Sequence, residues 1–160
     1  EVVQMMRAAI FAIDTGLYKA KEESAAAAAL KRLLGQAGFE VKAAGVLPQD
    51  GEMLAAVLRQ LADSGSVELI LTTGAAGYLE VDCAPTALTE VSDRLIPGIP
   101  EALRAYNLRY GKSAMLESLA AGIRKRTVLL NLPESAKTAK EDIEYILPEL
   151  VQVVENVGLE

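Results

Sequence analysis

The sequence predicts an α/β fold, a mostly parallel sheet covered by helices on both faces. Three observations point to it. Continuous apolar runs, Ala8-Ala9-Ile10-Phe11-Ala12-Ile13 and Leu69-Ile70-Leu71 among them, have the composition of strands buried on both sides. Segments with helical spacing of apolar residues lie between those runs. The two patterns alternate along all 160 residues, and right-handed crossovers then gather the C-terminal ends of the strands on one edge.

The elements follow in order. Residues 7–14 read as the first strand. Residues 24–36 read as a helix: an alanine block, then Leu30, Leu33 and Leu34 on one stripe, with Gly38 just past the end. Residues 39–47 form a second strand, weakened by Lys42, Ala43 and Ala44. Met53, Leu54, Val57, Leu58 and Leu61 give a helix over 51–64 one buried face. Residues 67–73 are the third strand. Helices are then expected over 85–94 and 99–110, followed by a short turn at 113–116. Two further strands, 119–123 and 127–132, join at Arg124-Lys125-Arg126. Pro133 ends the second, and a C-terminal helix over 135–158 is expected to break at Pro148.

Composition bounds what the chain does. Half of it is apolar and none of it is Trp, so the core must be aliphatic, and the length suits a single domain over 1–160. The net charge of −6 argues against nucleic acid as a partner. No run reaches the roughly 18 apolar residues of a membrane span, and no signal peptide is recognisable. A cytoplasmic protein is expected, and Glu1 in first position suggests a processed chain or part of a larger polypeptide. Without histidine, the Ser-His-Asp and Cys-His chemistries are excluded within this chain. Cys83 stands alone and reads as a small packed thiol. Any metal must be hard and oxygen-bound, with Mg2+ foremost.

Residues 72–85, Thr-Thr-Gly-Ala-Ala-Gly-Tyr-Leu-Glu-Val-Asp-Cys-Ala-Pro, are the most informative stretch. A strand that ends in small residues and feeds a helix start is a place where phosphates bind, on backbone N–H groups and the helix dipole. Other polar strand ends, Asp14-Thr15, Gln49-Asp50 and 131–137, are expected to converge with it into one site.

These segments, taken in order, resemble the molybdopterin-binding family of molybdenum-cofactor biosynthesis. Leu69-Ile70-Leu71-Thr72-Thr73-Gly74 is similar to that family's strand and the first half of its Thr-Thr-Gly-Gly-Thr-Gly motif. Asp82 and Pro85 match its Asp-Val-Thr-Pro at the same spacing. Gly38-Phe39-Glu40-Val41, Pro97-Gly98, Ala114-Met115-Leu116, Ala121-Gly122-Ile123 and Asn131-Leu132-Pro133 fall in line around them. The resemblance implies a three-layer αβα domain, a homotrimer, molybdopterin as ligand, and Mg2+-dependent transfer of AMP from ATP. It places a phosphate cradle at Thr72, Thr73, Gly74, Ala75, Ala76 and Gly77. It assigns Asp82 to catalysis and metal, with Asp50 as stand-in for a second aspartate whose place Gln49 holds. Asp14, Thr15, Pro133, Ser135 and Lys137 complete the cofactor-binding set.

Several of these residues carry a second reading. Asp82 near a helix start also suits the dipole, Asp50 also opens the next helix, and Thr72 and Thr73 also satisfy backbone groups at the strand end. Lys137 either neutralises phosphate or is a solvated helix lysine. Departures from the family pattern gather at the site. Ala75-Ala76 replaces Gly-Thr, Leu79 and Val81 replace Gly and Arg, and Ala84 replaces a capping Thr. Ser24-Ala25-Ala26-Ala27 replaces Asp-Thr-Ser-Gly, Glu117-Ser118 replaces Ser-Arg, and Glu134 replaces a glycine. A non-catalytic trimerising module and a nucleotide-acting relative of the competence-damage-inducible type are the alternatives.

Overall fold

In the computed structural model, residues 6–160 are described. Strand β1 (Met6–Ile13) lies second from one edge of a six-stranded sheet of order β2-β1-β3-β6-β5-β4. Strands β2 (Phe39–Leu47), β3 (Leu69–Thr73) and β6 (Thr127–Leu132) run parallel with it. Strands β5 (Ala121–Arg124) and β4 (Arg94–Leu95) complete the far edge antiparallel. Every residue of β3 and β6 is buried, the apolar Leu69-Ile70-Leu71 and Val128-Leu129-Leu130 and the polar Thr72, Thr73, Thr127 and Asn131 alike. Lys42 in β2 is a bulge, since Ala8 pairs with Val41 and Ala9 with Ala43. The lysine turns out to solvent beside Glu40, 2.8 Å away.

Helices cover both faces. On one, α2 (Ala25–Gln36), α5 (Gly98–Leu108) and α6 (Ala136–Gly158) bury Leu30, Leu34, Leu103, Ile143 and Leu150 against Ile10, Leu71 and Leu130. On the other, α3 (Gly51–Ser64) and α4 (Ala84–Val91) bury Leu54, Leu58, Leu88 and Val91 against Ile70 and Leu129. The result is the three-layer αβα arrangement the sequence predicts. Caps fix the helix starts: Ser24 Oγ accepts from Ala27 N at 3.1 Å, and Asp50 Oδ1 from Met53 N at 3.1 Å. The β5–β6 hairpin is tied down by Arg124, which bonds Asp63 at 2.9 Å and Val91 O at 2.9 Å, so this basic residue is structural.

Two expectations are corrected and one unexpected element appears. A short helix α1 (Thr15–Ala20), capped by Asp14 and ended by Lys21 at φ 57°, follows β1 directly. Helix α4 stops at Val91: Ser92 is extended, and Arg94 and Leu95 pair with Ile123 and Gly122. The short turn expected at 113–116 is present as a 3-10 turn over Lys112–Leu116. Helix α6 does not break at Pro148. The proline is exposed, so the carbonyl it leaves unpaired at Glu144 reaches water, while Ile146, Leu150 and Val154 hold the axis against the sheet.

Candidate functional site

The loop between β3 and α4 is anchored from three sides. Thr73 Oγ1 donates to Pro133 O at 2.6 Å, and Gly74 N to Leu132 O at 3.0 Å. Ala84 N donates to Ala75 O at 3.1 Å, and Ser118 N to Ala76 O at 2.7 Å. These bonds hold Gly74 at φ 91° and Ala75 at φ 51°. Ala75 therefore keeps a left-handed backbone despite its Cβ, a conformation that costs roughly 1–2 kcal/mol in a non-glycine residue. At Gly74 a Cβ would lie 3.0 Å from Ile13 O, so glycine is required by space as well as by φ. The backbone N–H groups of Ala75, Ala76 and Gly77 donate to no acceptor among the described residues. Consecutive free N–H groups on a left-handed turn form an anion-binding concavity. The loop's donors are thus backbone groups, and they survive the loss of the threonine hydroxyl.

The predicted site residues divide between two recesses, because strand ends present side chains to both faces of the sheet. On the α2/α6 side, Asp14, Ser24, Thr73, Gly74 and Glu134 line a recess of about 150 Å3. Glu134 faces this recess beside Asp14, and its carboxylate opposes an anion there. On the α3/α4 side, Asp50, Glu52, Glu80, Asp82 and Glu90 line a cleft of about 560 Å3 in which Arg59 is the one cation. Arg59 is engaged by Glu90 at 3.3 Å. Asp82 Oδ2 accepts from Leu79 N at 3.0 Å, and the carboxylate rests on Gly77, where a Cβ would lie 2.5 Å from it. Gly77 is the residue that admits Asp82 to its place. Burial pushes the Cys83 thiol up, and the Asp50 and Asp82 carboxylates add to this, so the thiol is an unreactive packing group.

Asp50 and Asp82 each commit one oxygen to a backbone N–H and keep a second. No group of three or more acidic, cysteine or histidine side chains able to cage a metal occurs among the described residues. Two singly committed carboxylates in a wide, acidic cleft fit Mg2+, which keeps several waters and takes its remaining ligands from substrate oxygens.

The other residues are placed less simply. Thr15 Oγ1 accepts from Gln49 N at 2.8 Å and so links two strand ends. Thr72 is 1% exposed and its Oγ1 has no partner; it pairs in register with Asn131, whose Nδ2 is also unpartnered. Pro133 is buried, and Ser135 caps α6 by accepting from Thr138 N at 3.3 Å. Lys137 does not converge with the loop: helix rotation turns it to a third cavity beside Glu141. Ala84 leaves α4 without a side-chain cap, as its loss of a hydroxyl predicts. Sequence reasoning named Glu117 only as a departure and missed Asn107, which lines that third cavity with it, and Asp142, buried in α6. The available signal was Asp142 itself, on the same helical stripe as Ala139, Ile143 and Ile146.

Residues 9–152 match the family described as a probable molybdopterin binding domain. The molybdopterin adenylyltransferase of Escherichia coli is 35% identical over 101 residues, 63% of this chain and 52% of that protein. A molybdenum cofactor biosynthesis bifunctional protein of Chlorobaculum tepidum is 30% identical over 142 residues, 89% of this chain and 45% of that protein. The chain spans about half the length of the curated relatives it matches. The solved structure of the molybdopterin biosynthesis enzyme MoaB from Thermus thermophilus superimposes with a TM-score of 0.88 at 35% identity, over 98% of both chains.

Proposed function

Because the chain belongs to the molybdopterin-binding family of molybdenum-cofactor biosynthesis, we propose that its strand-end loop binds the phosphate of molybdopterin and that the adjoining cleft receives ATP for transfer of AMP. The free N–H groups of Ala75, Ala76 and Gly77, held in place by anchors from β6, α4 and Ser118, are the observation that carries this reading. They donate to phosphate oxygens without any side-chain hydroxyl. Thr73 and Gly74 hold the loop against β6 and β1, and Gly77 admits the Asp82 carboxylate beside them.

Asp82 and Asp50 would hold Mg2+ through the oxygens they do not spend on Leu79 N and Met53 N. Bound there, Mg2+ would supply positive charge against what develops on the phosphates as the adenylyl group moves to its acceptor and pyrophosphate leaves. Such chemistry asks for positioned donors and a cation rather than for proton-transfer groups, so a chain without histidine suffices. We assign the whole of 1–160 to one such domain, acting as a cytoplasmic homotrimer on the family pattern. The bifunctional relative supports its occurrence within a larger polypeptide. A non-catalytic module on the same fold is the second reading, favoured by Glu134 in the small recess and by the strained Ala75.

Calorimetric titration with molybdopterin, with and without MgATP, tests the proposal. Micromolar or tighter binding with AMP transfer is expected, and Asp82→Asn should abolish transfer while the fold persists. Binding without transfer selects the non-catalytic reading. Unchanged turnover in Asp82→Asn sinks the role given to that carboxylate.

A further inference from the structure

Asn131 is wholly buried in β6, between β3 and β5, where an apolar residue would satisfy the packing. Its Nδ2 has no hydrogen-bond partner among the described residues, and neither has Oγ1 of Thr72, which it meets in register on β3. A buried donor left unpaired costs stability, so the packing of the strand does not explain the amide. What the residue does make is a clamp. Asn131 N donates to Ala120 O at 3.1 Å, and Asn131 Oδ1 accepts from Ala120 N. A single residue thus holds both backbone polar groups of Ala120, one position before β5 begins.

That clamp sets the path of the residues before it. Glu117 is extended, and its carbonyl accepts from Arg104 of α5 at 3.1 Å. Ser118 is exposed, and its N–H donates to Ala76 O at 2.7 Å. Leu119 is buried in the core on the α2/α6 side of the sheet. Residues 117–120 therefore form a strap, tied to α5 at one end and to Asn131 at the other, with the loop after β3 bonded to its middle. The peptides of that loop are trans. A trans peptide is planar, and its C=O and the N–H of the following residue point in opposite directions. Whatever holds Ala76 O therefore aims the Gly77 N–H, and whatever holds Ala75 O aims the Ala76 N–H. The first is Ser118; the second is Ala84, whose N–H lies 3.1 Å from Ala75 O.

We infer that the strap anchored by Asn131 is the positioning device of the anion-binding loop, with Asn131 as its positioning residue. By clamping Ala120, Asn131 holds Ser118 against Ala76 and so directs the Gly77 N–H toward the bound phosphate. The start of α4 directs the Ala76 N–H independently. The inference rests on the phosphate-binding role proposed above for the loop. Asn131 acts there only through Ser118, and the unpaired Nδ2 is the cost of keeping its Oδ1 as the acceptor for Ala120. Leucine is close to asparagine in size and has no acceptor, so exchanging the two separates positioning from packing.

The test titrates the full 15N-labelled chain with inorganic phosphate at constant ionic strength and follows the amide resonances of Ala75, Ala76 and Gly77. Three proteins are compared: the unaltered chain, Asn131→Leu and Ser118→Pro. Asn131→Leu removes the acceptor for Ala120 N. Ser118→Pro removes the donor to Ala76 O at an exposed position, after a residue that is already extended as proline requires. Thermal melting establishes that each variant folds, and Ser118→Pro decides alone if Asn131→Leu does not. In the unaltered chain all three resonances should shift with phosphate. In both variants Ala75 and Ala76 should still shift, the Gly77 shift should be lost, and phosphate should bind about tenfold more weakly, as expected for one hydrogen bond to a charged group. A Gly77 shift that persists in both variants overturns the inference, and so does a loss shared equally by all three amides in a folded variant. Loss in Ser118→Pro but not in Asn131→Leu overturns the part given to Asn131. The absence of any shift in the unaltered chain is a separate result: it removes the phosphate-binding role of the loop, and the inference with it.

Discussion

Replacing Asp142 by asparagine should make the protein more stable, and increasingly so as the pH rises. Asp142 is wholly buried in α6, and neither carboxyl oxygen finds a hydrogen bond. Burial pushes its carboxyl from the usual 3.8 up to about 7, against a downward pull from Asn107 on α5 and with further upward pushes from Glu117 and Glu141. The Arg104 guanidinium donates to the Glu117 carbonyl. The folded chain thus holds a proton between about pH 4 and 7 that the unfolded chain has released. Stability falls with rising pH across that window, by up to about 1.4 kcal/mol per pH unit, and the loss is complete above about pH 7. Summed over roughly three pH units, the cost approaches 4 kcal/mol at pH 8. Asn has the shape of the neutral acid and cannot ionise, but its amide also lacks partners, which returns about 1 kcal/mol. A net gain of about 3 kcal/mol at pH 8, shrinking to about zero near pH 4, is therefore expected. Urea unfolding of both proteins, followed by circular dichroism across that range, measures it. Parallel stability profiles for the two proteins would refute the reasoning, because they would mean that Asp142 ionises normally.

Three further substitutions probe the loop and the long helix. Gly77→Ala puts a Cβ 2.5 Å from Asp82 Oδ2; the carboxylate is free to swing away, so stability should change by less than about 1 kcal/mol. Its place in the cleft is lost, however, and Mg2+ affinity measured by calorimetry should drop about tenfold or more, as expected when a charged group is displaced. Undiminished affinity would remove Asp82 from the metal site. Glu134→Gly takes an exposed carboxylate from the recess it shares with Asp14, and phosphorylated ligands should bind up to about fivefold tighter at low salt and equally at about 1 M salt. No change at low salt would show that the carboxylate lies out of range of the anion. Pro148→Ala restores a helical N–H opposite the exposed Glu144 and should stabilise by about 1–3 kcal/mol; a lower melting temperature would show that packing uses the proline's local distortion.

Most of the framework was legible because it is written in burial. Strands β1, β3 and β6 are covered on both faces over most of their length, so their middles are apolar runs that announce them. Ser24 and Asp50 announce the helices they cap. What the sequence concealed depends on contacts made elsewhere. Helix α1 buries none of its residues and so has no apolar period to detect. Strand β4 is two residues long and exists through its pairing with β5. Pro148 has the propensity of a breaker, yet the buried stripe of α6 on both sides of it overrides one unfavourable residue. The polar strand ends converge along the chain but separate in space, since Asp14 and Asp50 belong to opposite faces of the sheet. Asp142 was the one visible anomaly, a carboxylate in phase with an apolar stripe, and its partners Asn107 and Glu117 lie too far off in sequence to be joined to it without the fold.

The loop after β3 shows why side-chain losses at the site do not by themselves end its chemistry. Ala75 and Ala76 lack the conformational freedom and the hydroxyl that the family motif supplies, and a free Ala-Ala segment would avoid a positive φ. Here the backbone has no such choice. Leu132, Pro133, Ser118 and Ala84 each contribute to a hydrogen bond that fixes the loop, and these bonds together outweigh the roughly 1–2 kcal/mol that Ala75 costs in the left-handed region. The shape is imposed by the surrounding elements, and with it the direction of the free N–H groups, which no substitution short of proline removes. Binding built from backbone donors outlasts the side chains around it. The proposed catalysis, which would need Asp82 and a second carboxylate at fixed separation, has less redundancy: Asp50 would meet the need only if its uncommitted oxygen reached the cation proposed at Asp82. In the proposed function, anion binding therefore rests on more of the structure than transfer does, and any loss of activity should appear in turnover before it appears in affinity.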